Sequence, residues 1–273
     1  MLQFSKYQGL GNDFLIVEGR QGQLSVGISE PDPVWVRRIC DRRFGVGGDG
    51  LILALPPQAD GDLRMRIFNA DGTEAEMCGN GIRCVALHLI RNGNGSGRTV
   101  RIQVGAHVLA ARVLSGKHQE PLVCTRMPVP EVQKGSDLLR VQLGNAHGIL
   151  IEDELPGNDD WARQVGVHHE HGLHELNLHV VRIIDSSTIE MKSWERGVGP
   201  TVACASGATA AVAGLISMGL VQNRVLVKQP GGVLRVHWRG GSMQPTNTGA
   251  AGDLPGGVMS QDNIDMEHEA RSQ

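Results

Sequence analysis

The sequence predicts an α/β protein assembled from two similar halves, and three observations carry that reading. Most candidate elements are short strands interrupted by glycine, of which the 273 residues include 37. Helical periodicity appears in only a few places. Two of those helical stretches are entered in the same way, each from a cysteine set among small residues: Met77-Cys78-Gly79-Asn80-Gly81 and Ala203-Cys204-Ala205-Ser206-Gly207. The two cysteines lie nearly half the chain apart, which reads as an internal duplication with one cysteine–helix unit per half. The alternative is chance recurrence of the short C-x-x-G pattern. Chain length also favours two domains over one.

Along the chain, the first helix is expected at Asp32, a good N-cap followed by Pro33, whose missing N–H costs nothing in the first turn. The apolar run Gly50 to Leu55 and the alternating Leu63 to Ile67 read as strands. Ile82 to Ile90 places Ile82, Val85, Ala86, Leu89 and Ile90 on one helical face. Gly116 to Pro130, with prolines at 121, 128 and 130, reads as the linker between halves. Asn177 to Ile184 is rich in β-branched residues and reads as a strand. Ala208 to Met218 is small and apolar almost all round, so it should be buried on several sides, and Gly219 can end it.

The paired cysteines suggest chemistry. A cysteine just before a helix lies near unpaired N–H groups and the positive dipole end, which favours thiolate and should lower its pKa toward neutrality. Neighbouring glycines let the backbone approach an anion such as a carboxylate. Two such sites facing each other would put one sulfur on each side of a single carbon. One thiolate could then remove an α-proton while the opposite thiol delivers another. A buried cysteine is more often an inert small hydrophobe, and that reading is applied to Cys40, Cys84 and Cys124.

Composition excludes several classes. A net charge of −3, with no basic stretch, argues against a nucleic-acid binder. No secretory leader pattern occupies Met1 to Tyr7, and no run of about 18 apolar residues occurs, so a cytoplasmic protein is expected. Five cysteines without a C-x-x-C pair are not a disulfide framework. No pattern suggests a flavin, nicotinamide or pyridoxal cofactor. The polar tail Ser260 to Gln273 is expected to be poorly ordered. The stretch Gly166 to Glu175 holds His168, His169, His171 and His174 but lacks an HExxH arrangement, so solvated loop histidines are favoured over a metal site. Glu152-Asp153-Glu154 reads as a solvated acidic turn.

Phe68-Asn69-Ala70-Asp71-Gly72-Thr73-Glu74-Ala75-Glu76-Met77-Cys78-Gly79-Asn80-Gly81-Ile82-Arg83-Cys84 resembles the first active-cysteine motif of the diaminopimelate epimerase family. Lys6-Tyr7-Gln8-Gly9-Leu10-Gly11-Asn12-Asp13-Phe14 is similar to that family's N-terminal signature, and Glu195-Arg196-Gly197-Val198-Gly199, leading to Cys204, resembles its second cysteine motif. The resemblance implies two pseudo-symmetric α/β (α+β) domains, each a β-sheet wrapped around a central helix. They would span residues 1–118, joined by the returning segment 256–273, and residues 119–255. It implies a cofactor-independent, homodimeric isomerase interconverting LL- and meso-diaminopimelate, with Cys78 and Cys204 as the catalytic pair. His147 and Glu195 would sit near the thiols and help set their protonation. Asn12, Asn69, Asn145, Asn177, Glu195 and Arg196 would bind the substrate's amino-acid ends. Backbone N–H groups of Gly79, Asn80, Ala205 and Ser206 would hold the reacting carboxylate.

The sequence departs from the family pattern at Ala205, where glycine is usual; if that position needs φ > 0, alanine is strained by about a kcal/mol. Pro200, Ala146, Ala250 and the stretch before Asn177 are also atypical. Two other readings remain at this stage: a related cofactor-free racemase of another amino acid, and a non-catalytic metal-binding protein.

Overall fold

The computed structural model describes residues 2–20, 30–58, 60–93, 97–114, 121–135, 138–157, 175–196 and 198–259. The first half of the chain forms β1 (Leu2–Gly9), β2 (Asn12–Glu18), α1 (Pro33–Cys40), β3 (Gly50–Leu55), β4 (Leu63–Asn69), the two-residue β5 (Glu74–Ala75), α2 (Gly79–Arg91), β6 (Thr99–Val104), β7 (His107–Val113) and β8 (Leu122–Arg126). The second half forms β9 (Glu131–Lys134), β10 (Leu139–Gln142), β11 (Ala146–Ile151), β12 (Asn177–Asp185), β13 (Thr188–Glu195), β14 (Gly199–Thr201), α3 (Ala205–Ser217), β15 (Arg224–Gln229), β16 (Gly232–His237), β17 (Thr246–Ala250) and β18 (Gly252–Met259).

The pairing pattern is the same in both halves. β1 pairs antiparallel with β2, β2 parallel with β3, β3 antiparallel with β4, β4 parallel with β6, and β6, β7 and β8 follow antiparallel. β10, β11, β12, β13, β15, β16 and β17 repeat that sequence of orientations strand for strand. β5 and β14 add the same short antiparallel flap to β4 and β13. An outer strand completes each half: β9 beside β10, and β18 beside β1.

Each half is organised around one helix. α2 buries every residue from Gly79 to Leu89, and α3 every residue from Ala205 to Leu215, against the concave side of its own strands. Apolar burial on all faces is what a central helix requires. α1 lies outside, where Val36 and Ile39 pack on Leu15, Leu51 and Leu53; Asp32 caps it by accepting from Val34 N–H at 2.7 Å.

Two expectations change. The stretch 116–130 is not simply a linker. Its residues 122–126 form β8, with Val123, Thr125 and Met127 buried, and β8 pairs with both β7 and β17. Through β8 and β17 the strands of both halves join one continuous ladder, because the last strand of each half completes its hydrogen bonding on its counterpart. The 118/119 boundary, residues 260–273, and His168, His169, His171 and His174 lie outside the described residues. Glu152 to Glu154 are exposed, as expected.

The halves also clamp each other at their turns. The β1–β2 hairpin turns at Leu10 and Gly11, both with positive φ, and a Cβ on Gly11 would lie 3.1 Å from the Val202 side chain. In the other half Gly144, also at positive φ, closes on Met77. Each hairpin tip therefore lies against the residues leading into the other half's cysteine.

Candidate active site

Cys78 and Cys204 occupy equivalent backbone positions. Each is the N-cap of its central helix, at φ −145°, ψ 105° and φ −124°, ψ 112° respectively. Each sulfur accepts a first-turn N–H, Cys78 Sγ from Gly81 at 3.4 Å and Cys204 Sγ from Gly207 at 3.3 Å. The two helix N-termini abut: a Cβ on Gly79 would come within 2.7 Å of Ala205 Cβ. Asn80 of α2 donates its amide to Ala203 O at 2.8 Å, tying one helix start to the residue before the other cysteine. Cys204 N–H is in turn held by Gln229 Oε1 at 2.8 Å.

A cleft of about 350 Å³ opens in front of Cys78. Its walls include Asn12, Asn69, Asn145, Asn177, Glu195 and Arg196, so six of the side chains singled out in the sequence converge there. Gly79, Asn80, Ala205 and Ser206 lie behind it in the first turns of α2 and α3, whose leading N–H groups have no partner within a helix. Cys204 is covered, with Ser206 Oγ 3.6 Å from its sulfur. Asn177 accepts from Arg196 N–H at 3.0 Å and donates to Ala146 O at 3.1 Å, fixing the strand ends that carry Arg196 and Asn145. Asn69 donates to Thr73 Oγ1 at 3.0 Å.

The electrostatics differ from the expectation of acidified thiols. Burial, and then the nearby Glu195 carboxylate, push Cys78 up to about 12 and Cys204 well above the ordinary thiol value. Magnitudes explain why. A helix N-terminus is worth about 1 kcal/mol, less than tenfold in acidity, whereas full burial can shift the acid constant by about three orders of magnitude or more. Buried in this way, both groups hold their protons at neutral pH. Glu195 is raised by burial, which outweighs hydrogen bonds from Thr201 and from the Cys204 thiol; Thr201 Oγ1 donates at 2.6 Å. Behind both helix starts lies Arg83, fully buried, bonded to Asn80 Oδ1 at 2.6 Å and to the carbonyls of Gly79 and Ala250. Its charge partly offsets the desolvation of Cys78.

Three features were not singled out from the sequence. Asp49 and Thr201 line the cleft, and Asp49 is raised by burial. Asp49 carries no motif of its own, although a glycine-flanked acid before a strand could have marked it. His179 lies buried behind the cleft wall. His147 does not hydrogen-bond a sulfur; its two ring nitrogens meet Asn145 Oδ1 at 2.7 Å and His179 Nε2 at 3.0 Å, so it reaches the cleft through Asn145.

The sequence profile described as diaminopimelate epimerase matches residues 4–126 and 140–252, one stretch in each half. The chain belongs to the diaminopimelate epimerase family. It is 40% identical over 285 residues to the diaminopimelate epimerase of Prochlorococcus marinus strain MIT 9313, covering 95% of this chain and 93% of that one. It is 36% identical over 260 residues to that of Methanothermobacter thermautotrophicus, covering 86% and 90%. The fold is shared with a hydroxyproline epimerase from Agrobacterium vitis (TM-score 0.75, 14% identity, 97% of this chain and 92% of that one). It is shared also with a Bacillus anthracis phenazine biosynthesis protein of the PhzF family (TM-score 0.70, 15% identity, 95% and 99%).

Against the diaminopimelate epimerase pattern, the departure at Ala205 is harmless. Among the described non-glycine residues only Leu10 has positive φ, so Ala205 sits in the helix without strain. Its methyl instead fills the space that Gly79 leaves open. Of the other departures, Pro200 is exposed in β14 and Ala250 supplies a carbonyl to Arg83; the stretch before Asn177 lies largely outside the described residues.

Proposed function

We propose that this chain is a cofactor-independent epimerase that interconverts LL- and meso-diaminopimelate, with Cys78 and Cys204 as the two acid–base groups. The observation that carries the reading is the pair of cysteines capping two helices whose N-termini touch. A carboxylate at that junction meets first-turn N–H groups from both helices, which offset charge as a carbanion forms. One sulfur, as thiolate, takes the α-proton and becomes a thiol. The opposite thiol gives its proton to the other face of the carbon and becomes the thiolate. Configuration inverts and no net proton is consumed. Substrate entry supplies the α-ammonium charge that favours forming the first thiolate, and Glu195, hydrogen-bonded to Cys204, is the acceptor for its proton.

The distal end of the substrate follows from the cleft's charge. Among the described residues, Asp49, Glu74, Glu76 and Glu195 line it beside one arginine, Arg196. Carboxylates and amide oxygens suit ammonium groups, and a guanidinium suits a second carboxylate. The same reading carries domains of residues 1–118 with 256–273 and of residues 119–255, a homodimer, and a cytoplasmic enzyme; no helix among the described residues is long and apolar enough to cross a membrane.

The test is side-by-side rates on LL-diaminopimelate, meso-diaminopimelate and single-ended amino acids, with Arg196→Met as the control. Clamp groups that a bound substrate covers but leaves unpaired cost about 1–3 kcal/mol each, so single-ended amino acids should turn over poorly. Arg196→Met should lower diaminopimelate turnover severely with the fold intact. A single-ended amino acid epimerised as fast as diaminopimelate would favour a racemase of another substrate.

A further inference from the structure

Behind the cleft wall a chain of four polar side chains crosses the second half. Asn145 Oδ1 lies 2.7 Å from His147 Nε2, His147 Nδ1 lies 3.0 Å from His179 Nε2, and His179 Nδ1 lies 2.9 Å from Ser193 Oγ. All four residues are buried, and His179 is fully so. The first half of the molecule shows what the fold itself requires at these positions. In the ladder, His147 pairs with Asn177 as Phe14 pairs with Gly50, and His179 pairs with Ser193 as Ile52 pairs with Ile67. The equivalents of His147, His179 and Ser193 are therefore Phe14, Ile52 and Ile67, all buried and apolar. In the first half Ile52 and Ile67 support Gly81, three residues past Cys78; in the second, the His179 ring supports Gly207, three past Cys204. An aliphatic floor serves the first cysteine, so packing alone does not call for imidazoles beneath the second. Burying polar groups costs free energy unless every one is satisfied.

We propose that His179 is a positioning residue for the epimerase site: it fixes the tautomer of His147 and, through it, the Asn145 side chain in the cleft wall. The direction of the chain follows from its end. Asn145 Oδ1 can only accept, so His147 Nε2 carries the proton and its Nδ1 accepts. His179 Nε2–H must then donate to His147, leaving His179 Nδ1 to accept from the Ser193 hydroxyl. Every donor has an acceptor only while both rings are neutral, and burial holds them so, depressing His147 to about 3 and His179 well below the ordinary histidine value. The His179 ring also sits directly beneath Gly207, where an added Cβ would lie 2.2 Å from a ring carbon. Gly207 N–H is the donor to Cys204 Sγ. One ring thus sets the orientation of a cleft amide and supports the cap of a thiol.

The inference rests on the epimerase reading for its kinetic consequence but has a readout that does not. In ¹⁵N-histidine-labelled protein at pH 7, long-range proton–nitrogen spectra should show both His147 and His179 neutral with the proton on Nε2. A proton on Nδ1 of His147, or an imidazolium, overturns the chain whatever the enzyme acts on. His179→Gln retains an amide N–H that can donate to His147, whereas His179→Leu does not. His179→Leu should lose about tenfold or more in kcat on diaminopimelate, as expected for a misplaced site group, and His147 should lose its single tautomer. His179→Gln should recover most of the kcat and the Nε2–H signature. Equal losses in both variants with the His147 tautomer unchanged would assign His179 to packing alone and sink the proposal. An inactive wild type showing the predicted tautomers would fault the substrate assignment instead.

Discussion

The two cysteine–helix units share backbone angles and a sulfur-capped first turn, but they differ in what surrounds the sulfur. Cys78 is partly open to the cleft, while Cys204 is covered and hydrogen-bonded to Glu195, with Ser206 beside it. The first unit has glycine after the cysteine and the second alanine. The first rests on isoleucines, the second on a histidine chain. A duplicated frame therefore delivers two thiols to one place, and the side chains around it make the two acids unequal. That inequality suits a reaction needing one group deprotonated while the other keeps its proton.

The largest effect should come from removing either thiol. Cys78→Ala and Cys204→Ala should each lower epimerisation by about a thousandfold or more in both directions, because each direction needs a base and an acid. Circular dichroism should show the fold retained. Near-normal turnover in either variant would overturn the two-thiol mechanism.

Glu195→Gln should come next, with about a hundredfold loss of turnover. The Glu195 charge raises the pKa of both thiols, so its removal should make them more acidic. Alkylation of Cys78 by iodoacetamide at pH 8 should accordingly become faster while catalysis becomes slower. Unchanged alkylation would show that Glu195 does not reach the sulfurs.

The glycine–alanine difference can be exchanged between halves. Gly79→Ala drives two Cβ atoms to 2.7 Å and should reduce stability by about 1–3 kcal/mol in urea melts. Adding Ala205→Gly should restore most of that loss, because the two positions share one contact. Additive losses would mean that the helix ends do not meet there.

The smallest expected effect concerns an ion cluster in the first half that has no counterpart among the described residues of the second. Asp13 is paired with Lys6 and Arg42, whereas its counterpart in the ladder is Ala146. Burial alone would raise Asp13, but bonds from Arg42 and Lys6 outweigh it and hold it at about 2, against 3.8 ordinarily. A depressed carboxylate contributes stability above its unfolded value and loses it as pH falls through the folded one. About 2 kcal/mol should thus disappear between pH 4 and pH 2. Asp13→Asn should abolish that part of the acid sensitivity; an unchanged acid profile would show the pairs to be solvent-screened.

Much of this frame was legible in the residues. The Asp32-Pro33 helix start, the strand at Gly50 to Leu55 and both cysteine-led helices rest on local signals, namely caps and short-range periodicity. β8 was not legible, since the flanking prolines at 121, 128 and 130 read as punctuation and its partner β17 lies far along the chain. His179 was hidden inside a β-branched strand, because its meaning comes from His147 and Ser193 on neighbouring strands. The thiol acidities depart from the helix-entry expectation for a related reason. Helix entry is visible in sequence, whereas depth of burial depends on both halves closing together.

The two-thiol assignment is tested most directly by early epimerisation in deuterated water. Starting from LL-diaminopimelate, the first meso product should carry deuterium at the inverted carbon while remaining substrate carries almost none, because opposite thiols remove and deliver the proton. Product that retains the original α-proton, or substrate and product labelled equally from the start, would contradict a site in which Cys78 and Cys204 face opposite sides of one carbon.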